Sequence, residues 1–183
     1  MSKTHNDHTR LSSLPGTRDE RIALIQSRRW RDLVLVVEEV DDPHNIGAIL
    51  RTCEAVGIST VHLIYQNKSP RLRELSTSAS SATKWLDLKH WSSTQECVDF
   101  LRDNKFKILV TALDPKGKAH FAFDLTGPTA IVLGNEQKGV SEVIKKASDG
   151  LIAIPMRGFI QSLNVSVAAA VVMYEALRQR LAE

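Results

Sequence analysis

Three stretches of the sequence place polar side chains and glycines directly after short apolar runs. They are DDPHNIGAILRTCEAVG (41–57), IVLGNEQKGVSE (131–142) and IPMRGFIQSLNVSVAAAV (154–171). In the first, Asn45 stands at a helix start and Arg51 lies within the helix. An asparagine there either caps the helix or offers its amide to a ligand. An arginine beside Ile49, Leu50, Ala55 and Val56 either snorkels to water or presents a rigid guanidinium to phosphate. In the second stretch Gly134 and Gly139 flank Asn135, Glu136, Gln137 and Lys138. Glycines let a backbone turn tightly or approach a ligand, and a plain strand-to-helix turn reads the same way. In the third, Ser162 and Asn164 flank Leu163 ahead of an apolar helix, as caps or as the polar lining of a pocket.

Other chemistries are excluded. There is no G-x-x-x-x-G-K-[ST] phosphate loop and no G-x-G-x-x-G dinucleotide fingerprint. No G-x-S-x-G elbow surrounds Ser162, so a serine hydrolase has no support. The six histidines include no helical i, i+4 pair, and the two cysteines, Cys53 and Cys97, form no C-x-x-C. No metal site is expected, and both cysteines read as reduced core residues of a cytoplasmic protein.

The elements that must carry these loops follow from pattern. Thr17–Glu20 reads as a capping box before a helix reaching Arg29. Strands are expected at 33–37, 60–65, 86–89, 107–112, 129–133 and 151–154, where short β-branched and apolar runs occur. Helices are expected over 46–56, ended by Gly57, over 93–104 from a box at Ser93 and Glu96, over 141–147, and over 165–181. The polar segment 66–84 reads as loop with some helix. Strands alternating with helices predict an α/β fold, a mostly parallel sheet flanked by helices. Ligands of such sheets bind beyond the carboxyl ends of the strands, where the three stretches fall.

With 183 residues the chain suits one domain, and no run approaches the roughly 20 apolar residues of a membrane span. The net charge is only +3, yet residues 1–31 hold seven Lys or Arg against Asp7, Asp19 and Glu20. A second basic stretch includes Lys68, Arg71, Arg73 and Lys84. Such stripes attract a polyanion or are simply solvated. The run VSVAAAVVM makes the last helix apolar nearly all round, which calls for burial in the core or between subunits.

In this order and spacing, NIGAILRTCEAVG, GNEQKGVS and IPMRGFIQSLNVSVAAAV resemble the signature motifs of the SpoU (TrmH-type) branch of the SPOUT methyltransferases, over about residues 31–182. The resemblance implies an S-adenosylmethionine-dependent 2′-O-methyltransferase acting on structured RNA, with guanosine 18 of the tRNA D-loop as the expected target. Ribosomal RNA, or RNA binding without catalysis, are the alternatives. It implies residues 1–30 as a basic arm and helix, and 31–183 as a methyltransferase domain tied C-terminally into a deep trefoil knot. The knot loops would lie at the ends of strands 107–112, 129–134 and 150–155. The methyl donor would lie among Thr111, Ala112, Leu113, Leu133, Gly134, Ile154, Met156, Ser162 and Leu163. Asn45, Arg51, Glu136, Ser162 and Asn164 match the family's polar catalytic positions, with Asn45 orienting Arg51 and no metal required. Arg10, Arg18, Arg28, Arg71 and Arg73 are the candidate RNA contacts. A homodimer through the last helix and the first-motif helix completes the expectation. Members of the branch usually continue beyond that helix with a basic extension, whereas this sequence stops at Glu183.

Overall fold

The computed structural model describes residues 14–66 and 82–182. Helix α1 (Arg18–Ser27) starts from the expected capping box: the Glu20 carboxylate accepts from the Thr17 N–H at 2.7 Å while Thr17 Oγ1 caps the Glu20 N–H. None of its residues is fully buried, and Arg21, Ile22 and Ile25 are half-buried. There follow β1 (Trp30–Glu38), α2 (Pro43–Val56), β2 (Ile58–Ile64), a 3-10 turn at Ala82–Lys84, β3 (Asp87–Trp91), α3 (Thr94–Asp103) and β4 (Lys107–Thr111). Then come β5 (Lys118–Ala119), a 3-10 turn at His120–Ala122, β6 (Thr129–Leu133), α4 (Glu142–Ala147), β7 (Gly150–Ala153) and α5 (Val165–Leu181).

The strands form one sheet in the order β3-β2-β1-β6-β4-β7-β5, and every pairing is parallel. Helices cover both faces, which is why the central strands read as unbroken apolar runs. Alternate residues of β1 show the division. Leu33, Leu35 and Val37 face a core shared with α2 and α5, while Val34 and Val36 face α3 and α4. On the first face α2 lies directly on α5, where Cys53 Sγ meets Met173 Sδ at 3.7 Å.

Strand ends differ from expectation by up to three residues, and two further differences have local reasons. Helix α2 begins at Pro43 rather than near Ile46, because the Asp42 carboxylate, not Asn45, caps it by accepting from the His44 N–H at 2.8 Å. Proline at the first helical position needs no amide proton there. Strand β5 was not expected, since Lys118–Ala119 is too short and polar to show a period, and it pairs only with β7 at the sheet edge. Helix α5 is not buried on every side. Ala169, Val172, Met173 and Ala176 are buried, whereas Val167, Tyr174 and Leu181 are exposed.

Candidate active site

A parallel sheet puts the loops after β1, β4, β6 and β7 on one edge. The register Val37↔Leu133 brings the end of β1 beside the end of β6, so Glu38 and Glu39 lie next to Gly134 and Asn135. The β6 loop folds back at once. Asn135 and Gly139 exchange both backbone bonds, at 3.0 and 2.9 Å, with Glu136, Gln137 and Lys138 at the tip. Gly134 permits this, because a Cβ there would stand 2.4 Å from the Gly139 carbonyl carbon. Gly139 itself sits at φ +69°.

At the rim, side chains from all three stretches join in one hydrogen-bonded series. The Ser166 N–H donates to Asn164 Oδ1 at 2.8 Å; Asn164 Nδ2 donates to Asn45 Oδ1 at 3.0 Å; Asn45 Nδ2 donates to Glu136 Oε1 at 2.8 Å. A backbone N–H can only donate, which fixes the orientation of the first amide and thereby the second. Asn164 therefore serves as the N-cap of α5 and as a site residue together. Asn45, freed from capping by Asp42, is the central member.

Beside this series lies a cleft of about 640 Å³. Of the residues proposed from the sequence to surround a methyl donor, Thr111, Ala112, Leu113, Gly134, Ile154, Met156, Ser162 and Leu163 line it, and so do Glu136 and Asn164. Leu133 does not line it: it is wholly buried in the core beneath, because the in-out alternation of β6 turns it toward α2 and α5. Asp114, Lys138 and Lys145 add charge of both signs to the wall. Arg51 stands apart. It is exposed on α2, does not line the cleft, and no hydrogen bond joins it to Asn45, whose amide is taken by Glu136 and Asn164. The expected Asn45–Arg51 pairing is thus absent within the subunit. Of the candidate RNA contacts, Arg18 and Arg28 are exposed at the two ends of α1, and Arg10, Arg71 and Arg73 lie outside the described residues.

Residues 32–174 match the profile described as the SpoU rRNA Methylase family. The chain belongs to the SpoU family. A Thermus thermophilus relative, a tRNA (guanosine(18)-2′-O)-methyltransferase, is 42% identical over 164 residues, 90% of this chain and 84% of the relative. Among solved structures, the A. aeolicus TrmH/SpoU tRNA modifying enzyme superposes with TM-score 0.79 at 32% identity, covering 88% of this chain and 83% of that one. The SpoU methyltransferase AviRb of Streptomyces viridochromogenes, solved in complex with the cofactor AdoMet, gives TM-score 0.73 at 29% identity, over 82% of this chain and 61% of that one.

Two polar residues that support this SpoU site were not singled out from the sequence. Glu38 ends β1 and is 3% exposed, yet carries a carboxylate. One oxygen accepts from Thr94 Oγ1 at 2.9 Å and the other from the Ser141 N–H at 2.7 Å. These partners lie at the N-termini of α3 and α4, whose dipoles favour an anion. Asn135 is the second. In the sequence it is one polar residue of a glycine-flanked turn, and only its burial betrays a larger part. Nearby, Tyr65 donates its hydroxyl to the Val40 carbonyl at 2.7 Å. Burial, then the carboxylates of Glu39, Asp41 and Glu136, push its ionisation well above the usual range, so it remains a donor.

Proposed function

We propose that this protein transfers a methyl group from S-adenosylmethionine to the 2′-hydroxyl of guanosine 18 in tRNA. The observation that carries the reading is the Asn164–Asn45–Glu136 series, which joins the first motif to the two motifs that line the cleft. The cleft suits the donor. Its volume falls in the usual range for small-molecule sites, roughly 300–1,000 Å³. Leu113, Ile154, Met156 and Leu163 offer an apolar wall for a nucleoside, and the mixed charges of Asp114, Lys138 and Lys145 suit a zwitterionic amino-acid end. AviRb, solved with AdoMet, supports that choice, and the Thermus thermophilus relative supports the tRNA target.

S-adenosylmethionine supplies an electrophilic methyl on sulfur. The protein's own work is alignment, which brings the ribose oxygen within reach and excludes water. Glu136, Asn45 and Asn164 hold the three loops in one arrangement, and Ser162 lines the approach. Arg51 fixes an RNA phosphate and stabilises the developing alkoxide. A guanidinium, with a pKa above about 12, is suited to that task and not to proton abstraction. Since Arg51 does not line its own cleft, it serves the second subunit of a homodimer across a two-fold interface formed by α5 and α2. The exposed Val167, Tyr174 and Leu181 support that interface. Residues 1–30 act as a basic arm that sets Arg10, Arg18 and Arg28 on the RNA backbone, the second basic stretch adds Arg71 and Arg73, and the last third of the chain is threaded as a trefoil knot. The protein works in the cytoplasm and needs no metal; among the described residues no helix is long and apolar enough to cross a membrane.

The test is incubation with total RNA, containing unmodified tRNA and ribosomal RNA, and labelled S-adenosylmethionine, followed by mapping of the methylated nucleotide. One 2′-O-methylguanosine at position 18 is expected. Label in ribosomal RNA alone, or none, overturns the reading.

A further inference from the structure

We propose that Asn135 is the positioning residue that sets Glu136 against Asn45, a role that rests on the methyl-transfer reading above. Its amide is buried, at 8% exposure, and all four of its hydrogen-bonding positions are used. The two ends do different work. Oδ1 accepts from the Gln137 and Lys138 N–H groups, at 2.9 and 3.0 Å, and so shapes the turn that carries Glu136. Nδ2 donates to the Glu39 carbonyl at 2.7 Å and to Asp41 Oδ2 at 2.9 Å, gripping the segment that leads into α2 and Asn45. One planar group thus fastens the β6 loop to the β1 loop.

The gripped segment needs holding. Glu39 sits at φ +52°, a left-handed backbone that a glutamate adopts at a cost. Its carboxylate accepts from the Gln66 N–H at 2.7 Å and its carbonyl from Asn135. Without the Nδ2 end, the β6 loop would hold the β1 loop only at its base, through the Ser141 N–H on Glu38, and at the exposed contact of Asn45 with Glu136. A water-exposed hydrogen bond is weak by itself.

The two ends can be separated by experiment. Asn135→Asp keeps the turn-building acceptor and replaces the gripping donor with a carboxylate that faces Asp41 and the Glu39 carbonyl. Expected is a fall in kcat of about tenfold or more, with affinity for S-adenosylmethionine held within about threefold, because the turn lining the cleft survives. Adding Asp41→Asn supplies a donor to the new carboxylate and should recover part of kcat. The effects of Asn135→Asp and Glu136→Ala should also be far less than multiplicative, since one residue acts through the other. Multiplying effects, unchanged kcat, or a loss confined to donor affinity would overturn the role. If Asn135→Asp does not fold, Asp41→Ala removes one gripped partner at the exposed rim, and the same sub-multiplicative coupling to Glu136→Ala is required of it. A wild type that transfers no methyl overturns the functional reading itself, whereas an active wild type with multiplying variants overturns only the part given to Asn135.

Discussion

Arg51 is exposed on α2, and among the described residues nothing holds its guanidinium. Arg51→Ala should therefore leave thermal stability and donor binding near wild type while lowering methyl transfer about a hundredfold or more. Parallel melting curves and single-turnover assays check this, and near-normal turnover would reduce Arg51 to a solvated side chain. The sequence offered Asn45 and Arg51 as neighbours in one motif. A helix turns them to different faces, and only the distant Asn164 and Glu136 show where Asn45 points. His62 carries a second prediction. It is 1% exposed, accepts from Trp91 Nε1 at 3.0 Å, and stacks on Trp91 at 5.8 Å. Burial first, then the Lys89 charge, lower its pKa to about 4 from the ordinary 6.5. Below pH 6.5 the unfolded chain binds a proton that the folded one refuses until about pH 4. Stability should therefore fall as pH drops through that window, by up to about 3 kcal/mol. His62→Asn retains an acceptor for Trp91 and should flatten the melting temperature between pH 6.5 and pH 5. An unchanged slope would exclude His62 as its source.

At the scale of elements, period and punctuation were enough for nearly every helix and strand described. The Thr17 box, the Gly57 stop and the unbroken apolar runs of β1, β4 and β6 were all legible. What stayed hidden was order across the sheet, because a parallel neighbour is set by long connections rather than by adjacent sequence. Nor does a strand's final Glu announce that Glu38 lies buried between two helix starts. Helix α5 shows the same limit from the other side. Its composition suggested cover all round, yet Val167, Tyr174 and Leu181, spaced by sevens, form one stripe at 47%, 52% and 71% exposure. Such a stripe fits a second copy of the chain. Val167→Asp with Tyr174→Asp should shift the sedimentation mass toward 20.4 kDa and abolish transfer, because Arg51 would lose its partner cleft. A monomer that remains fully active would overturn both the dimer and the shared site.

For the whole molecule, the balance of +3 understates a basic N-terminal segment that runs on into α1. RNA affinity should fall steeply with salt, by about 0.7–0.9 log units per tenfold change in salt for each phosphate contact. Replacing Arg10, Arg18, Arg28, Arg71 and Arg73 together should flatten that slope by roughly four units, read from binding isotherms at several salt concentrations. An unchanged slope would leave these arginines as ordinary solvated surface. The contacts that make the site also span long stretches of the chain. Asn45 meets Glu136 across 91 residues and Asn164 across 119, and β1 waits for β6 before its second edge is paired. Such pairings are the slow steps of folding. During translation, then, a nascent chain has no assembled rim until α5 has been made. Truncated products of the gene would be silent toward RNA modification rather than partly active, and methylation would report a finished molecule.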